Sequence, residues 1–259
     1  MTSNNIEKPI IISIVGKGGV GKTMFTTLLA KTISQTHKYK MLLIDADPTH
    51  PHLCNMVKMP PVKSLEEVRL DVIKNSSKKE TSAEKLAESI DFKVYNAMLE
   101  CKDFSLFSIG QPEGPGCFCP SNTLLRKVIE SISKDFDVVL IDCEAGLEQI
   151  NRKVIESVDI LLIITDISLR SIETANSIRN QAKKFTHYKK LGVIVNKAKG
   201  NIDSLLKKLK DLDLPILGQI PEDEVIMEFD LNGIPLIEIP DNIPSMLAMK
   251  EVIPKILEN

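Results

Sequence analysis

The chain has 259 residues, enough for one substantial α/β core and only marginally enough for two domains. Its net charge of −2 provides no overall field that would favour nucleic acid or an anionic membrane. No segment approaches the ~20 apolar residues that cross a bilayer. The first apolar run, Pro9 to Val15, is short, follows Glu7 and Lys8 and leads into glycines rather than a cleavage site, so it is not a signal peptide. We therefore expect a cytoplasmic protein with no membrane and no nucleic-acid partner.

Short apolar runs rich in β-branched residues alternate along the chain with helical patterns. We predict strands at the following runs: Ile10–Val15, Met41–Ile44, Phe104–Ile109, Phe136–Ile141, Ile160–Thr165, Leu191–Val195 and Ile216–Ile220. Several of these runs are apolar throughout rather than alternating, so helices should cover both faces of the sheet. The alternation of strand and helix predicts an α/β fold with a doubly wound, mostly parallel sheet, in a single domain over residues 1–259.

Residues 60–100 depart from this alternation. They are rich in lysine and glutamate, and they carry only weak helical signals at 64–74 and 82–90. We predict a helical insertion at about 60–100 that has no hydrophobic core of its own.

A complete phosphate-binding motif follows the first predicted strand. The residues from Gly16 to Thr23 read GKGGVGKT and fit the pattern G-x-x-x-x-G-K-[ST] between a strand and a helix. Glycines let successive backbone N–H groups point at an anion, and the helix N-terminus adds its dipole. We therefore predict that ATP and Mg²⁺ bind here, with Lys22 at the β- and γ-phosphates and Thr23 on the metal. The other predicted nucleotide contacts in this motif are Gly18, Gly19, Val20, Gly21 and Met24.

Polar residues follow later strands at the edge where α/β sheets bind ligands. Asp142 ends an apolar run and is predicted to hold Mg²⁺ through a water molecule. Asp45, after the second strand, is expected to be structural or to act on the site through another residue rather than by direct contact. Asn196 and Lys197 end another strand, and the asparagine amide offers adenine both a donor and an acceptor. An ordinary strand-to-loop turn is the alternative for this pair.

Lys17, directly after the first glycine, is not needed to cradle phosphates within one chain. The form GKGGVGKT resembles the deviant Walker A loop of the SIMIBI ATPases, which include MinD, ParA and the nitrogenase iron protein. The resemblance implies that Lys17 reaches across a homodimer interface and stabilises charge on the phosphoryl group being transferred. It also implies that Asp47 orients the attacking water and that Pro221 and Glu222 pack on the base.

Two cysteines, Cys117 and Cys119, stand in a loop punctuated by glycine and proline between Gly110 and Pro120. Two thiolates are half of the tetrahedral set that Zn²⁺ prefers, and Ni²⁺ also binds thiolates. Two copies of the loop on a two-fold axis would bring four sulfurs together, so metal binding would accompany dimerisation. The alternative is a pair of unrelated small hydrophobic residues. A further segment, His50 to Cys54, is better explained as two polar loop side chains and a buried cysteine.

The combination GKGGVGKT, DADP, GCFCP and DCEAGLE resembles the carbon monoxide dehydrogenase accessory ATPases, which are nickel-insertion factors. The resemblance spans nearly the whole chain and is weakest over residues 60–100. It implies that Cys117 and Cys119 hold Ni²⁺ or Zn²⁺ at a dimer interface. It further implies that ATP hydrolysis gates nickel delivery to a client such as carbon monoxide dehydrogenase or acetyl-CoA synthase.

Two other classes of ATPase fit parts of the pattern. One is a MinD- or ParA-like positioning ATPase, but the terminal helix carries balanced charges and no basic patch is evident in the sequence. The other is an iron–sulfur carrier like the nitrogenase iron protein, whose cluster cysteines are far apart in sequence, unlike a C-x-C pair.

Overall fold

A computed structural model describes residues 9–48, 51–75, 93–110, 119–145 and 157–258, with the backbone alone at 73–75 and 119–125. The strands are β1 Ile10–Gly16, β2 Met41–Ala46, β3 Leu99–Glu100, β4 Ser105–Ser108, β5 Val138–Cys143, β6 Ser157–Thr165, β7 His187–Ala198 and β8 Ile216–Pro221. Among the described residues they form one 8-stranded sheet in the order β3-β4-β2-β5-β1-β6-β7-β8. Only the short β3 pairs antiparallel with its neighbour in that sheet.

Helices lie on both faces of the sheet. They are α1 Lys22–Ser34, α2 Leu53–Met56, α3 Leu65–Asn75, α4 Cys119–Ser133, α5 Leu169–Phe185, α6 Asp203–Asp211, α7 Glu224–Leu231 and α8 Pro244–Leu257, with a 3₁₀ turn at Leu236–Glu238. Buried side chains of α3, α4, α5 and α6 share one hydrophobic cluster with one face of the strands. Those of α1, α2, α8 and the 3₁₀ turn share a second cluster with the opposite face. The predicted doubly wound, mostly parallel α/β fold is confirmed.

Each of the seven predicted runs overlaps an observed strand, and the bounds agree to within one residue for β1 and β8. All residues of β2 and of β5 are buried, because helices cover both faces of the centre of the sheet. Strand β7 was predicted from Leu191 but begins at His187, since its first residues are polar and alternate between exposed and half-buried. Strand β3 was not predicted, because two residues are too short to show a periodicity.

The segment predicted as a helical insertion is described only in part. Helix α3 occupies the first of its two helical signals, and Leu65, Val68 and Val72 are buried in the cluster that also holds α4 and α5. The second signal, at 82–90, lies outside the described residues. The division of the chain into one domain with an insertion therefore stays a prediction. In the described ranges, no helix combines the length and apolarity needed to cross a lipid bilayer.

The parallel strands bring their carboxyl ends to one edge of the sheet. Strand β1 ends at Gly16 beside β6, where a Cβ atom on Gly16 would lie 2.3 Å from the carbonyl oxygen of Ile164. Glycine is therefore required for the chain to leave β1 this close to its neighbour. On the other side, β2 and β5 are in register so that Asp45 pairs with Asp142 at the same edge.

Candidate nucleotide-binding site

The loop between β1 and α1 has the backbone geometry of an anion-binding turn. Gly19 and Gly21 have φ angles of +81° and +87°, the left-handed region that glycine adopts without strain. Gly21 precedes the first residue of α1, and among the described residues no side chain caps this helix end. The first N–H groups of α1 are therefore open to an anionic ligand, as the motif predicted.

The end of strand β7 supports this loop from beneath. The side chain of Asn196 is fully buried, and its Nδ2 donates to the carbonyl oxygen of Val20 at 2.7 Å. Lys197 Nζ donates to the carbonyl oxygen of Gly19 at 3.1 Å. Asn196 Oδ1 is buried and has no hydrogen-bond partner among the described residues. The structure thus places Asn196 against the loop backbone and not in the wall of the cavity described below, so its contact with the base stays a prediction.

Lys22, Thr23 and Asp142, predicted to serve the phosphates and Mg²⁺, come together in the structure. Lys22 is buried, and Asp142 Oδ1 accepts a hydrogen bond from Thr26 Oγ1 at 3.2 Å. Burial raises the pKa of Asp142 to about 6, although hydrogen bonds from Thr23 and Thr26 and the charge of Lys22 lower it. The carboxylate therefore lies beside the Thr23 hydroxyl, where a shared cation would stabilise its ionised form.

A second buried carboxylate, Asp45, lies next to Asp142 across the β2–β5 pair. Its oxygens accept the backbone N–H groups of Asp47 and Leu53, each at 3.1 Å. Burial, followed by repulsion from Asp142, raises the pKa of Asp45 to about 7 despite these two hydrogen bonds. Asp45 therefore holds the backbone of the loop that follows β2, which is compatible with either of the roles expected from its position in the sequence.

A cavity of about 440 Å³ opens in front of the loop, a volume in the range of small-molecule sites. At one end its wall consists of predicted residues, namely Gly18, Gly19, Gly21, Lys22, Thr23 and Asp47. Predicted Met24 and Lys197 also belong to the wall, together with Ala145. The phosphate loop and the aspartate assigned to water orientation therefore face one space.

The rest of the wall was not predicted. It is formed by residues of α2, α7 and the 3₁₀ turn and by the residue that precedes α2, namely His52, Met56, Ile226, Met227, Asp230 and Leu236. These side chains are mostly apolar and include flexible methionines, which suit the face of a base or a ribose. The sequence signal that was available is the mainly apolar composition of α7. In the structure none of its residues, all of which are described, is buried, so its apolar side chains are free to form a wall.

Several predicted residues do not line this cavity. Lys17 is half-buried on the loop, and Val20 is buried beneath it. The carbonyl oxygen of Pro221 accepts from Ser245 Oγ at 3.2 Å, and Glu222 forms an ion pair with Lys199 at 2.9 Å. The structure does not bring Pro221 and Glu222 into the wall, so their contact with the base stays a prediction.

The predicted metal-binding cysteines fall at the limit of what the structure describes. Cys117 lies outside the described residues, and Cys119 is described only by its backbone, as the first residue of α4. No group of three or more His, Cys, Asp or Glu side chains is placed to hold a metal ion within the described part of the chain. His50 also lies outside that part, whereas His52 lines the nucleotide cavity and Cys54 is half-buried rather than buried. Nickel or zinc binding at the C-x-C pair stays a prediction.

Comparison with known proteins gives the family. The profile of the CobQ/CobB/MinD/ParA nucleotide binding domain (CbiA) matches residues 11–236. The chain belongs to this family. An uncharacterized ATP-binding protein of Methanocaldococcus jannaschii is 36% identical to it, over 96% of this chain and 98% of the relative. The carbon monoxide dehydrogenase accessory protein CooC of Rhodospirillum rubrum is 30% identical, over 86% of this chain and 88% of the relative.

Solved structures agree with the fold of the CobQ/CobB/MinD/ParA family. The cell division ATPase MinD of Pyrococcus furiosus superposes with a TM-score of 0.72 at 23% identity, covering 95% of this chain and 98% of that one. A ParA family ATPase from Chlorobium tepidum superposes with a TM-score of 0.74 at 18% identity, covering 97% and 99%. At these identities the similarity establishes the fold alone.

Proposed function

We propose that the protein is a dimeric, Mg²⁺-dependent ATPase that delivers nickel to a carbon monoxide dehydrogenase or acetyl-CoA synthase. The observation that carries the nucleotide part is the meeting of Lys22, Thr23 and Asp142 behind the glycine loop. Nickel delivery rests on the similarity to the accessory protein CooC and on the pair Cys117 and Cys119.

The residues at the loop fit Mg²⁺. The hydroxyl of Thr23 and the carboxylate of Asp142 are oxygen donors of the kind that this ion prefers. Asp142 is also buried, so a dication beside it would stabilise its ionised form. When bound, Mg²⁺ would neutralise the charge that develops on the phosphate oxygens during transfer.

The chain's own residues would have two tasks in hydrolysis: some bind the phosphates and others orient the attacking water. Lys22 and the loop N–H groups hold the phosphates, and Asp47, in the same cavity wall, orients a water molecule toward the γ-phosphorus. The water oxygen bonds to phosphorus, the bond to the β–γ bridging oxygen breaks, and the water proton passes to the phosphate product. Lys17 does not line the nucleotide cavity of the chain to which it belongs, which agrees with a role in the active site of a second copy.

Two lysine variants test the hydrolytic part. Lys17→Ala should abolish turnover and leave the affinity for a fluorescent ATP analogue nearly unchanged, because Lys17 acts from the partner copy. Lys22→Ala is the matched comparison and should lose the affinity itself, since Lys22 contacts the phosphates of its own chain. A Lys17→Ala variant that loses affinity as Lys22→Ala does would make Lys17 a phosphate ligand of its own chain.

Metal loading tests the delivery part. Purified protein is incubated with Ni²⁺ or Zn²⁺, with and without ATP, and metal content and mass are measured. We expect about one ion per dimer, because four thiolates complete one tetrahedral site. The double variant Cys117→Ser, Cys119→Ser should lose the metal and the metal-induced dimer, whereas Cys101→Ser, at an exposed thiol elsewhere in the chain, should keep both. Metal binding that survives the double variant would refute the interface. A protein that dimerises with ATP but binds neither Ni²⁺ nor Zn²⁺ would favour a MinD- or ParA-like positioning ATPase.

A further inference from the structure

One buried carboxylate joins the two ends of the loop that follows β2. Asp45 is only 2% exposed, and its Oδ1 accepts the N–H of Asp47 while its Oδ2 accepts the N–H of Leu53, both at 3.1 Å. Its own carbonyl oxygen accepts the N–H of Ile109 at 2.9 Å, which fixes the backbone that carries this side chain. The anchor therefore stands on the rigid sheet and reaches both ends of the loop.

The two anchored points carry different parts of the wall of the nucleotide cavity. Asp47 itself lines the cavity, and Leu53 begins α2, whose position sets that of Met56 and of His52, the residue before the helix, in the same wall. Helix α2 spans 4 residues, too few to be stable by its own hydrogen bonds. Its position therefore depends on the buried side chain of Leu53 and on the hydrogen bond to Asp45.

The carboxylate of Asp45 does not belong to the wall of the described cavity. It is flanked instead by Asp142, its register partner on β5, which lies beside Thr23. We propose that Asp45 is a positioning residue for hydrolysis, one that sets the location of Asp47 relative to α2 without touching the nucleotide. The proposal rests on the function proposed above and names a further residue in that site.

The variant Asp45→Asn tests the anchor. Asparagine keeps the size of the side chain but replaces one acceptor oxygen by an NH₂ group, which cannot accept a backbone N–H. Because a small misplacement of a reacting group is costly, we expect kcat to fall about 10- to 100-fold. The dissociation constant of a fluorescent ATP analogue should stay within about 3-fold, since the phosphate loop is untouched.

A matched control is available at the opposite edge of the sheet. Asp159 also accepts a backbone N–H, from Ile11 at 2.8 Å, but lies at the amino-terminal ends of the strands. Asp159→Asn should leave kcat unchanged. An equal loss of kcat in both variants, or an equal loss of kcat and affinity in Asp45→Asn, would overturn the positioning role.

Hydrogen exchange gives a readout that is independent of activity. In the wild-type protein the amide of Leu53 should be protected although it is the first residue of a short helix, and Asp45→Asn should remove that protection. Rapid exchange at Leu53 in the wild type would overturn the anchor even if the variant failed to fold. If the wild type does not hydrolyse ATP, the proposed function fails, and the exchange experiment still decides whether the anchor exists.

Discussion

Gly21 offers the sharpest test of how the phosphate loop is held. It has a φ angle of +87°, and a Cβ atom there would lie 2.6 Å from Nδ2 of Asn196 and 3.3 Å from Cε of Met24. That amide nitrogen is fully buried and donates to the carbonyl oxygen of Val20. The change Gly21→Ala must therefore displace the group that supports the loop, or move the loop itself.

A second glycine separates the two contributions to the expected loss of stability, the positive φ angle and the collision with Asn196. Gly19→Ala places alanine at a φ angle of +81° with no neighbouring atom within 4 Å, so it carries the conformational cost alone, roughly 1–2 kcal/mol. Gly21→Ala adds the loss of the Asn196 hydrogen bond, about 1 kcal/mol, and the strain of the displaced amide. We therefore expect Gly21→Ala to lower the free energy of unfolding by about 3 kcal/mol, clearly more than Gly19→Ala.

Urea unfolding without nucleotide measures both variants, since Gly19 also lines the cavity and a bound nucleotide would confuse the comparison. The double variant Gly21→Ala, Asn196→Ala closes a thermodynamic cycle. Removing the Asn196 side chain relieves the collision, so the cost of alanine at position 21 should fall to that at position 19. Equal costs for the two single alanines, or costs that add in the double variant, would refute the reasoning.

Three further predictions concern groups buried at or near the site. Without nucleotide and Mg²⁺, the raised pKa values of Asp45 (about 7) and Asp142 (about 6) mean that the folded state binds protons more tightly than the unfolded state. The free energy of unfolding should therefore fall as pH rises from about 4 to about 7, by up to ~1.4 kcal/mol per pH unit for each carboxylate, and Asp45→Asn should flatten the slope near pH 7 in urea titrations. Thr26→Val removes a hydrogen bond to Asp142 that lowers its pKa, so it should weaken the Mg²⁺ dependence of ATP-analogue binding. Burial raises the pKa of the Cys143 thiol to about 12, so native protein should react with a thiol reagent at exposed Cys101 and not at Cys143, as peptide mapping would show.

The sequence predicts those strands whose burial can be recognised from their own residue pattern. Strands β2 and β5 are buried along their whole length, so each appears as a continuous apolar run. The start of β7 could not be predicted in this way, because His187 to Lys190 lie at a half-exposed end where polar residues are tolerated. Its extent is set by pairing with β6, a long-range contact that the local pattern does not contain.

The same distinction between local and long-range information applies to the site. The phosphate loop is contiguous, so the types and spacing of its residues were enough to predict Lys22 and Thr23. The rest of the wall combines α2 with α7 and the 3₁₀ turn, which are distant from α2 in sequence and meet it only through the fold. Asn196 shows an intermediate case: the sequence indicated a polar group at a strand end near the nucleotide, but not that its amide would be buried and bind the loop backbone.

The pair Asp45 and Asp142 connects the stability of the fold with the proposed chemistry. Two carboxylates that are buried side by side destabilise the folded state when both are ionised, because each has lost water and faces the other's charge. A dication at Thr23 and Asp142 would reverse that balance by lowering both pKa values. The pH dependence of unfolding should therefore be smaller with Mg²⁺ and ATP than without them. The arrangement that costs stability in the empty protein is the one that would make the folded state favour its metal and nucleotide, and the loop anchored by Asp45 lies directly beside it.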